Sequence, residues 1–448
     1  MPCQLPLEQI VDIIAATPLN ISDDVLAKRS TGITTDTRSL KPGEIFIALR
    51  GENFNGHEFA VSAVEKGVIA TVTDHKLDDP VPQLLVKDTL EAYQQIASWW
   101  RKQFDIPIIA VTGSVGKTTT KELIAAVLST TGNVLKTQLN YNNEIGVPKT
   151  LLELSADHDY AVIEMAMRGA GQIALLAQIA SPTIGVITNV GTAHIGLLGS
   201  KEAIARAKCE LLEEMPTSSV AILNHDNPLL IATASTVWQG QTLTYGLEGG
   251  ELRGELPNSS TLSIAGMELP LPLAGRHNAS NFLAALAVAK VLGIDWQPLA
   301  TNLSVSLPAG RATVHSLPND IILLDETYNA GTESMLAALQ LLAETPGKRR
   351  IAVLGAMKEL GDASEELHQQ VGREAEQLQL DVLLVLVNDP EAQAIATGAS
   401  GISSECFSTH EALLARLQEI LQPGDRLLFK ASHSVALDQV VKQLCAAG

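Results

Sequence analysis

The sequence predicts an α/β protein of three domains. Short apolar runs alternate with helix-forming segments over residues 89–308 and again over residues 309–448, after a mixed segment at residues 1–88. This alternation is typical of a parallel sheet with helices packed on its faces. With 448 residues, the chain is also long enough for several domains that each bury a core.

The first domain, residues 1–88, is predicted to be a small α/β unit. We expect strands at residues 32–37 and 45–49, joined by a turn at Pro42-Gly43. A helix is expected at residues 59–66, because Gly67 follows it and glycine is typical of a helix end.

The second domain is predicted to hold a central parallel sheet, and the third to be a Rossmann-like α/β unit. Strands of the second domain are expected at residues 106–112, 160–165, 183–188 and 219–224. An antiparallel hairpin is expected within residues 249–273, and a helix at residues 281–292 ends at Gly293. Strands of the third domain are expected at residues 321–325, 350–354, 382–387 and 426–430.

Composition excludes some classes of function. The chain is 46% hydrophobic and 18% charged, and its formal net charge is −19. Nucleic-acid binding needs a basic surface, so this charge argues against a nucleic-acid partner. Any polyanionic ligand must be held by a local group of cations or by a metal ion.

Cysteine content and hydropathy bear on the compartment. The four cysteines (Cys3, Cys209, Cys406 and Cys445) are scattered, which suits a reducing cytoplasm. No apolar run approaches the roughly 20 residues of a membrane span, and the N-terminus lacks a signal-peptide pattern. We therefore expect a cytoplasmic protein without membrane insertion.

A glycine-rich segment lies between the predicted strand 106–112 and a helix-forming run. Its residues are Thr112-Gly113-Ser114-Val115-Gly116-Lys117-Thr118-Thr119. Backbone N–H groups and the helix N-terminus of such a loop bind phosphates, Lys117 adds a positive charge, and Thr118 can bind magnesium. Val111 stands where the usual spacing has a glycine, so the loop is a shortened form. The second domain is therefore predicted to be an ATPase-like domain that binds ATP.

Two further side chains follow neighbouring predicted strands. Glu164 ends the run 160–165, and His194 follows the run 183–188 in a glycine-containing loop. Ligands of parallel sheets gather at the carboxyl ends of strands, so Thr118, Glu164 and His194 form a candidate site for one or two Mg²⁺ ions. The alternatives are an ordinary charge at a strand end for Glu164 and a structural role for His194.

Other candidates carry an open alternative. Arg168 precedes a helix and is either a carboxylate or phosphate ligand or a surface arginine. Asn278 is favoured as a helix N-cap, although His277 and Asn281 share a helix face and form a possible base-binding pair. Lys208 lies in a predicted helix, where most lysines are simply solvated.

A second group of candidates stands in the third domain. Asp325 follows an apolar strand and could accept from ribose hydroxyls beside Tyr328 and Asn329, or it could form a local Asx turn. Arg311 lies at the suspected junction between domains, where an arginine can reach a phosphate across a cleft.

The motifs occur in one order along the chain. They are Thr35-Asp36-Thr37-Arg38, Pro42-Gly43-Glu44-Ile45-Phe46-Ile47-Ala48-Leu49, the loop 112–119, Asn140-Tyr141-Asn142-Asn143-Glu144-Ile145-Gly146-Val147-Pro148, Met167-Arg168-Gly169-Ala170-Gly171, and the segments 188–194, 275–281, 325–330 and 360–368. This ordered set resembles the Mur ligases of peptidoglycan synthesis over essentially the whole chain.

The resemblance implies a role for each domain. The first would bind the UDP end of a substrate, the second ATP, and the third the incoming amino component. The implied UDP-substrate and acceptor residues are Thr37, Arg38, Asn140, Asn142, Asn143, Arg168, Lys430 and Ser432. The implied nucleotide residues are Gly113, Ser114, Val115, Gly116, Lys117, Thr118, Thr119, His277, Asn281, Arg311, Asp325, Tyr328 and Asn329.

The resemblance also implies the chemistry. Within the family the motifs are most similar to the ligases that use ATP and Mg²⁺ to join D-alanyl-D-alanine to UDP-N-acetylmuramoyl-tripeptide through an acyl phosphate, a step of cell-wall biogenesis. Lys117, Glu164, His194 and Lys208 would be catalytic. Thr118, Glu164 and His194 would hold magnesium, with Lys208 as a further ligand once N-carboxylated. A monomer is expected.

Some positions depart from the family pattern. Ala356 stands where an aspartate is frequent, and His433 where an arginine is frequent, both in the domain expected to hold the acceptor. Alternatives are a sibling ligase that adds a diamino acid, a folylpolyglutamate synthetase, and a nucleotide-binding relative without catalysis. The Asp-Asn-Pro-Arg motif of the sibling is absent, residues 1–88 argue against the synthetase, and intact Lys117 and Lys208 argue against the silent relative.

Overall fold

The computed structural model describes residues 3–447, and within them three large β-sheets divide the chain. The sheets lie within residues 17–85, 108–270 and 313–430, one in each predicted domain range. The domain boundaries 1–88, 89–308 and 309–448 themselves stay predictions. No helix in residues 3–447 is both long enough and apolar enough to cross a membrane.

The first unit has a sheet of order β1-β7-β6-β3-β2, parallel except for β1 against β7. Its elements are α1 Leu7–Ile14, β1 Thr17–Leu19, α2 Asp23–Leu26, β2 Ile33–Thr34, β3 Ile45–Ile47, β4 Arg50–Gly51, β5 Phe54–Asn55, α3 Ala60–Glu65, β6 Ala70–Thr73 and β7 Gln83–Leu85. The prediction of a strand at 32–37 was wrong in length. Thr34 Oγ1 accepts from the N–H of Asp36, and this local bond turns the chain after two strand residues.

The second unit has a sheet of order β16-β15-β14-β13-β12-β11-β8-β10-β9. Its elements are α4 Thr89–Arg101, β8 Ile108–Thr112, α5 Lys117–Leu128, β9 Val134–Lys136, α6 Gly146–Leu151, β10 Tyr160–Glu164, α7 Gln172–Ala180, β11 Ile184–Ile187, α8 Ile195–Leu198, α9 Lys201–Glu213, β12 Val220–Asn224, α10 Pro228–Val237, β13 Gln241–Gly246, β14 Leu252–Asn258, β15 Thr261–Ile264, β16 Met267–Pro270, α11 Arg276–Val291 and α12 Leu299–Asn302. The strands from β9 to β14 pair in parallel. The predicted hairpin is confirmed and extended, because β14, β15 and β16 form an antiparallel meander.

Strand β8 occupies the centre of the second sheet and is buried on both faces. Ile108 and Ala110 pack in the cluster that also holds α4 and the first unit, whereas Ile109 and Val111 pack with α5 and α11. Alternate side chains of a strand point to opposite faces, so this short apolar run joins two cores. The loop that follows β8 is thereby fixed at the carboxyl edge of the sheet.

The third unit has a sheet of order β17-β18-β22-β19-β20-β21, parallel except for β17 against β18. Its elements are β17 Thr313–Leu317, β18 Ile321–Asp325, α13 Thr332–Glu344, β19 Arg349–Leu354, α14 Ser364–Gln377, β20 Val382–Leu386, α15 Gln393–Gly398, β21 Ser404–Phe407, α16 His410–Ile420, β22 Asp425–Lys430 and α17 Asp438–Ala447. All strands predicted here are confirmed. Sequence reasoning missed the edge strands β17 and β21, because their half-exposed residues give no continuous apolar run.

Candidate active site

A cleft of about 910 Å³ opens between the carboxyl edge of the second sheet and the third unit. Side chains of both units line it. The predicted site residues that line it are Ser114, Val115, Gly116, Lys117, Thr118, Thr119, Asn140, Asn142, Glu164, Arg168, His194, His277, Asn281, Arg311, Tyr328, Asn329, Lys430 and Ser432. Loops after the adjacent strands β10, β8 and β11 supply Glu164, the glycine-rich loop and His194, as expected for strand ends at one edge of a parallel sheet.

The glycine-rich loop is held by the segment after β11. Ser114 N–H donates to Asn189 O at 3.0 Å, and Val115 N–H donates to Asn189 Oδ1 at 3.0 Å. Thr188 Oγ1 donates to Val115 O at 2.7 Å. A Cβ on Gly113 would lie 1.9 Å from Thr188 Oγ1, so only glycine allows this approach. Gly113 itself therefore lies behind the loop rather than on the cleft.

Lys117 begins α5 and points back over the loop. Its Nζ donates to Gly113 O at 2.8 Å and to Ser114 O at 3.3 Å. Burial lowers the pKa of Lys117, while the nearby Glu164 opposes that shift. A cation held in this position can exchange its carbonyl partners for the oxygens of a bound phosphate.

Glu164 is buried and half-satisfied. Asn142 Nδ2 donates to its Oε1 at 2.8 Å. Its Oε2 is buried and accepts no hydrogen bond within residues 3–447, although Lys121 Nζ lies 3.7 Å away. A buried carboxylate oxygen without a donor is costly unless a cation binds it. Together with the cleft-lining Thr118, this oxygen fits a hard divalent cation such as Mg²⁺.

His194 is held in an unusual backbone conformation. Its φ is +66°, and its ring Nδ1 lies 2.5 Å from Glu359 Oε2 of the third unit. Because Nδ1 forms a hydrogen bond with the Glu359 carboxylate, Nε2 is the ring nitrogen available to bind a metal ion. His194 thus has the orientation of a second-domain metal ligand that is braced from the third domain.

Lys208 lies on α9 and is buried, with 2% of its surface exposed. Burial, reinforced by the neighbouring Lys117, lowers the pKa of Lys208 well below its usual range. The solvated helical lysine that composition alone favoured is therefore wrong for this position. Although Lys208 does not line the cleft, it also acts on the pKa of His194, which places it near the candidate metal ligands.

The opposite wall is cationic and aromatic. The Arg311 guanidinium carbon lies 3.8 Å from the centre of the Tyr328 ring, and Arg311 Nε is buried without a hydrogen-bond partner within residues 3–447. Lys430 Nζ donates to Asn329 O at 2.9 Å, and burial lowers the pKa of Lys430. His433 also lines the cleft, with its ring 5.8 Å from that of Tyr328. This wall can neutralise an anion that enters from the phosphate loop.

The start of α11 corrects one prediction. The helix begins at Arg276 with Gly275 before it, so Asn278 is inside the first turn and is not the N-cap. Asn278 Nδ2 donates to Ala274 O at 2.7 Å instead. His277 and Asn281 do share the cleft-facing side, and burial lowers the pKa of His277 to about 4. His277 is therefore neutral near pH 7.

Asn281 braces the glycine-rich loop in addition to facing the cleft. Thr120 Oγ1 donates to Asn281 Oδ1 at 3.1 Å. A Cβ on Gly116, whose φ is +81°, would lie 2.6 Å from the same oxygen. The side chain is thus already engaged with the first turn of α5.

Several predicted residues lie away from the cleft. Asp325 Oδ1 accepts from the N–H and the hydroxyl of Thr327 at 3.1 and 2.6 Å, which is the local Asx turn left open by the sequence. Glu326 lines the cleft in its place. Asn143 Oδ1 accepts from Gly146 N–H at 2.9 Å and so fixes the start of α6.

Thr37 and Arg38 belong to the first unit, none of whose described residues lines the cleft. The Arg38 side chain is 89% exposed and pairs with Asp36, which holds the pKa of Asp36 at about 2. Lys149 also lowers the pKa of Asp36, and its Nζ lies 4.0 Å from the centre of the Tyr141 ring. The Asp36–Arg38 pair therefore lies within electrostatic range of Lys149, which contacts Tyr141 in the segment that carries Asn140 and Asn142 into the cleft.

Comparison with known proteins identifies the family. Residues 111–289 match the Mur ligase middle domain, residues 310–433 match the Mur ligase, glutamate ligase domain, and residues 29–100 match the Mur ligase family, catalytic domain. The chain belongs to the Mur ligase family.

Relatives of this Mur ligase align over nearly the whole chain. The UDP-N-acetylmuramoyl-tripeptide–D-alanyl-D-alanine ligase of Synechocystis sp. is 62% identical over 95% of this chain and 94% of its own. A crystal structure of MurF from Acinetobacter baumannii is 30% identical, covers 99% of each chain and superposes with a TM-score of 0.91. MurF ligase from Thermotoga maritima, solved in complex with ADP, is 29% identical over 95% of this chain and 99% of its own, with a TM-score of 0.85.

Sequence reasoning missed several residues of the cleft of this Mur ligase. Asn189 holds the glycine-rich loop, and Glu333 and Glu359 of the third unit contact the segment that carries His194. Asn189 stands inside a motif that was singled out, so its position was a usable signal. No local sequence pattern distinguishes Glu333, because its hydrogen-bond partner Thr192 is 141 residues away in the sequence.

Proposed function

We propose that this Mur ligase joins D-alanyl-D-alanine to UDP-N-acetylmuramoyl-tripeptide at the expense of ATP, which is converted to ADP and phosphate. The observation that carries the proposal is the single cleft in which the phosphate loop and Glu164 face Arg311 and Lys430 of the third unit. The Synechocystis relative, at 62% identity, bears the name of this reaction, so the sibling and silent alternatives are not favoured.

The first step makes a carboxyl group reactive. A carboxylate oxygen of the tripeptide attacks the γ-phosphorus of ATP, the bond to the β-phosphate oxygen breaks, and an acyl phosphate and ADP result. Charge accumulates on the transferring phosphoryl group, and Lys117, Arg311 and Lys430 are the cations placed to neutralise it. These local cations allow a chain of net charge −19 to bind two polyanions.

Magnesium would be held by Thr118, Glu164 and His194. The fit rests on the donor set and on Glu164 Oε2, which accepts no hydrogen bond within residues 3–447. When bound, Mg²⁺ supplies positive charge to the phosphate oxygens of ATP. Asn142 meanwhile keeps the other Glu164 oxygen occupied and so fixes which oxygen faces the cleft.

The second step forms the amide bond. The amine of D-alanyl-D-alanine attacks the acyl carbon, phosphate leaves, and the amine loses a proton. The acceptor would enter along the third-unit wall, beside Lys430, Ser432 and His433. His433 stands where the family frequently has an arginine, so an imidazole would replace a guanidinium in acceptor binding.

Lys208 is proposed to carry a carbamate. Carbon dioxide adds to a neutral amine, and burial beside Lys117 favours the neutral form of the Lys208 amine because it lowers the pKa of that amine. The nitrogen gives up a proton as its bond to the carbon forms. The product is an anionic carbamate, which can contribute a ligand oxygen to a metal ion.

The proposed UDP end lies outside the cleft, on the first unit. Thr37 and the exposed Arg38 would bind it, and the segment of Asn140 and Asn142 would lead the peptide toward the phosphate loop. ATP is a cytoplasmic nucleotide, and we place the reaction in the cytoplasm with a monomeric enzyme. Light scattering on a size-exclusion column tests the oligomeric state.

Phosphate release tests the reaction. The chain is incubated with ATP, Mg²⁺, UDP-N-acetylmuramoyl-tripeptide and one amine at a time, and the expected result is release with D-alanyl-D-alanine alone. Release with a free diamino acid and UDP-N-acetylmuramoyl-dipeptide would favour the sibling reaction. Release with none of the amines would favour a silent relative.

A further inference from the structure

The third unit contacts the segment of residues 189–196, here named the histidine loop, through one glutamate at the start of α13. Glu333 Oε1 accepts from Thr192 N–H at 2.7 Å, and Glu333 Oε2 accepts from Thr192 Oγ1 at 3.0 Å. A Cβ on Gly191 would lie 2.5 Å from the Glu333 carboxyl carbon, so the glycine allows this approach. One carboxylate therefore holds a backbone and a side-chain donor of the other unit.

A second glutamate holds the far end of the histidine loop. Glu359 Oε2 lies 2.5 Å from His194 Nδ1, and the Glu359 carbonyl accepts from Gly196 N–H at 3.1 Å. A Cβ on Gly196 would lie 2.5 Å from Gly361 N. The two backbones touch at this point, and glycine is needed for the contact.

The near end of the histidine loop supports the phosphate loop. Gly191 N–H donates to Ser114 Oγ at 2.8 Å, and Asn189 O accepts from Ser114 N–H at 3.0 Å. The segment that Glu333 and Glu359 hold is thus the one that positions both His194 and Ser114.

We propose that Glu333 and Glu359 act as positioning residues, a clasp through which docking of the third unit completes the metal site. Glu359 forms a hydrogen bond with His194 Nδ1 and so leaves Nε2 available to the metal. Glu333 fixes the position of the histidine loop relative to Ser114. The inference rests on the proposed nucleotide and metal site. With the third unit undocked, His194 lacks the partner that orients its ring, and metal-dependent nucleotide binding weakens.

Calorimetry with a non-hydrolysable ATP analogue tests the clasp on the full chain. The dissociation constant of the analogue is measured with excess Mg²⁺ and again with EDTA. The ratio of the EDTA value to the Mg²⁺ value reports how much the metal increases the affinity. We expect Glu333→Ala and Glu359→Ala to reduce that ratio about tenfold, the lower end of the effect of residues that orient a metal ligand. The affinity in EDTA should fall by less than the affinity in Mg²⁺, because the histidine loop also supports Ser114 of the phosphate loop.

Controls separate positioning from folding. Glu365→Ala removes the same charge from an exposed site on α14, where the Glu365 side chain accepts a hydrogen bond from Gln369, and it should leave the ratio unchanged. Glu333→Gln keeps one acceptor and should restore part of the ratio. Thr192→Val removes only the hydroxyl donor to Glu333, so it should lose less than Glu333→Ala, and the double variant should lose no more than Glu333→Ala alone.

Three results would overturn the clasp, and they differ from failure of the proposed function. The first is an unchanged affinity ratio in both Glu333→Ala and Glu359→Ala. The second is a loss of nucleotide affinity in EDTA as large as the loss in Mg²⁺. The third is a fall of the ratio in Glu365→Ala as large as in those two variants. If the unmodified chain shows no metal-dependent binding at all, the nucleotide and metal site is itself wrong, and the clasp fails with it.

Discussion

At the scale of single residues, the phosphate loop depends on two glycines that are required for different reasons. Gly113 passes Thr188 too closely for any side chain, since a Cβ would lie 1.9 Å from the Thr188 hydroxyl oxygen. Gly116 adopts a φ of +81°, which L-residues rarely take. The shortened spacing of the motif thus reflects contacts with the next strand of the sheet and with α11.

Gly116→Ala should abolish most nucleotide binding. The left-handed backbone alone costs about 1–2 kcal/mol for a residue with a Cβ. The added Cβ would also lie 2.6 Å from Asn281 Oδ1 and push the loop toward the cleft. Calorimetry with an ATP analogue measures the loss, and Gly169→Ala is the control because nothing lies within 4 Å of its Cβ position. Equal affinity in both variants would contradict this account of the loop.

Lys208→Arg should inactivate the enzyme although it keeps a positive charge. An arginine does not form the carbamate, and its cation cannot serve as a metal ligand. We expect a fall in turnover of about 10²-fold or more, comparable to the loss of a charge-stabilising group in other active sites. The independent measurement is ¹³C NMR in ¹³C-bicarbonate, where the unmodified chain should give a carbamate resonance that Lys208→Ala lacks. Persistence of that signal in Lys208→Ala would place the carbamate elsewhere.

At the scale of elements, the third sheet is fixed at its amino edge by a buried ion pair. Arg349 at the start of β19 donates to both Asp425 carboxylate oxygens, at 2.9 and 2.6 Å, and Asp425 lies at the start of β22. The Asp425 side chain is 0% exposed and that of Arg349 24%. Nearer the edge strand β21, Arg416 makes a comparable two-pronged pair with Glu405, but these side chains are 37% and 36% exposed.

Arg349→Met should destabilise the third unit far more than Arg416→Met. Removing Arg349 leaves a buried carboxylate without its counter-charge, which costs about 3 kcal/mol. The exposed pair of Arg416 and Glu405 contributes far less, because water solvates both partners. Amide hydrogen exchange of β19 and β22 measures the local free energy of opening in both variants. Equal protection would mean that burial of Asp425 is compensated by its backbone donors alone.

At the scale of the whole molecule, the proposed reaction would use residues from units built on three separate sheets. The cleft joins the second and third units, whereas Arg38 of the first unit stands outside it. The third unit contacts the histidine loop through hydrogen bonds of Glu333 and Glu359 and through Ile195, which packs against the third-unit core. Interfaces between domains within one chain commonly permit movement. A ligand that touches both walls of the cleft therefore favours the docked arrangement.

Small-angle scattering should show compaction on ligand binding. We expect the radius of gyration to fall when an ATP analogue, Mg²⁺ and UDP-N-acetylmuramoyl-tripeptide are added together, because Arg311 and Lys430 then bind a ligand held by the phosphate loop. Docking would also exclude water from the acyl phosphate. The nucleotide alone should give a smaller change, and no compaction with the full set would contradict closure.

The amino-acid sequence alone predicted the fold class, the phosphate loop and the apolar strands β8, β10, β11, β12, β18, β19, β20 and β22, but not the edge strands β17 and β21. Short stretches of sequence specify these features. Apolar runs predict β8, β10 and β11. The spacing of Gly113, Gly116 and Lys117 predicts the loop. Because parallel strands end at one edge, the candidate metal set of Thr118, Glu164 and His194 also followed from the order of the strands.

Only the tertiary structure decided which polar residues face the cleft. Asp325 and Glu326 are neighbours in sequence, yet the first closes a turn and the second lines the site. Lys208 resembles any helical lysine until the packing around α9 buries it beside Lys117. Glu333 and Glu359 meet partners 141 and 165 residues away. Contacts of that range depend on how whole units pack, and no local periodicity or spacing records them.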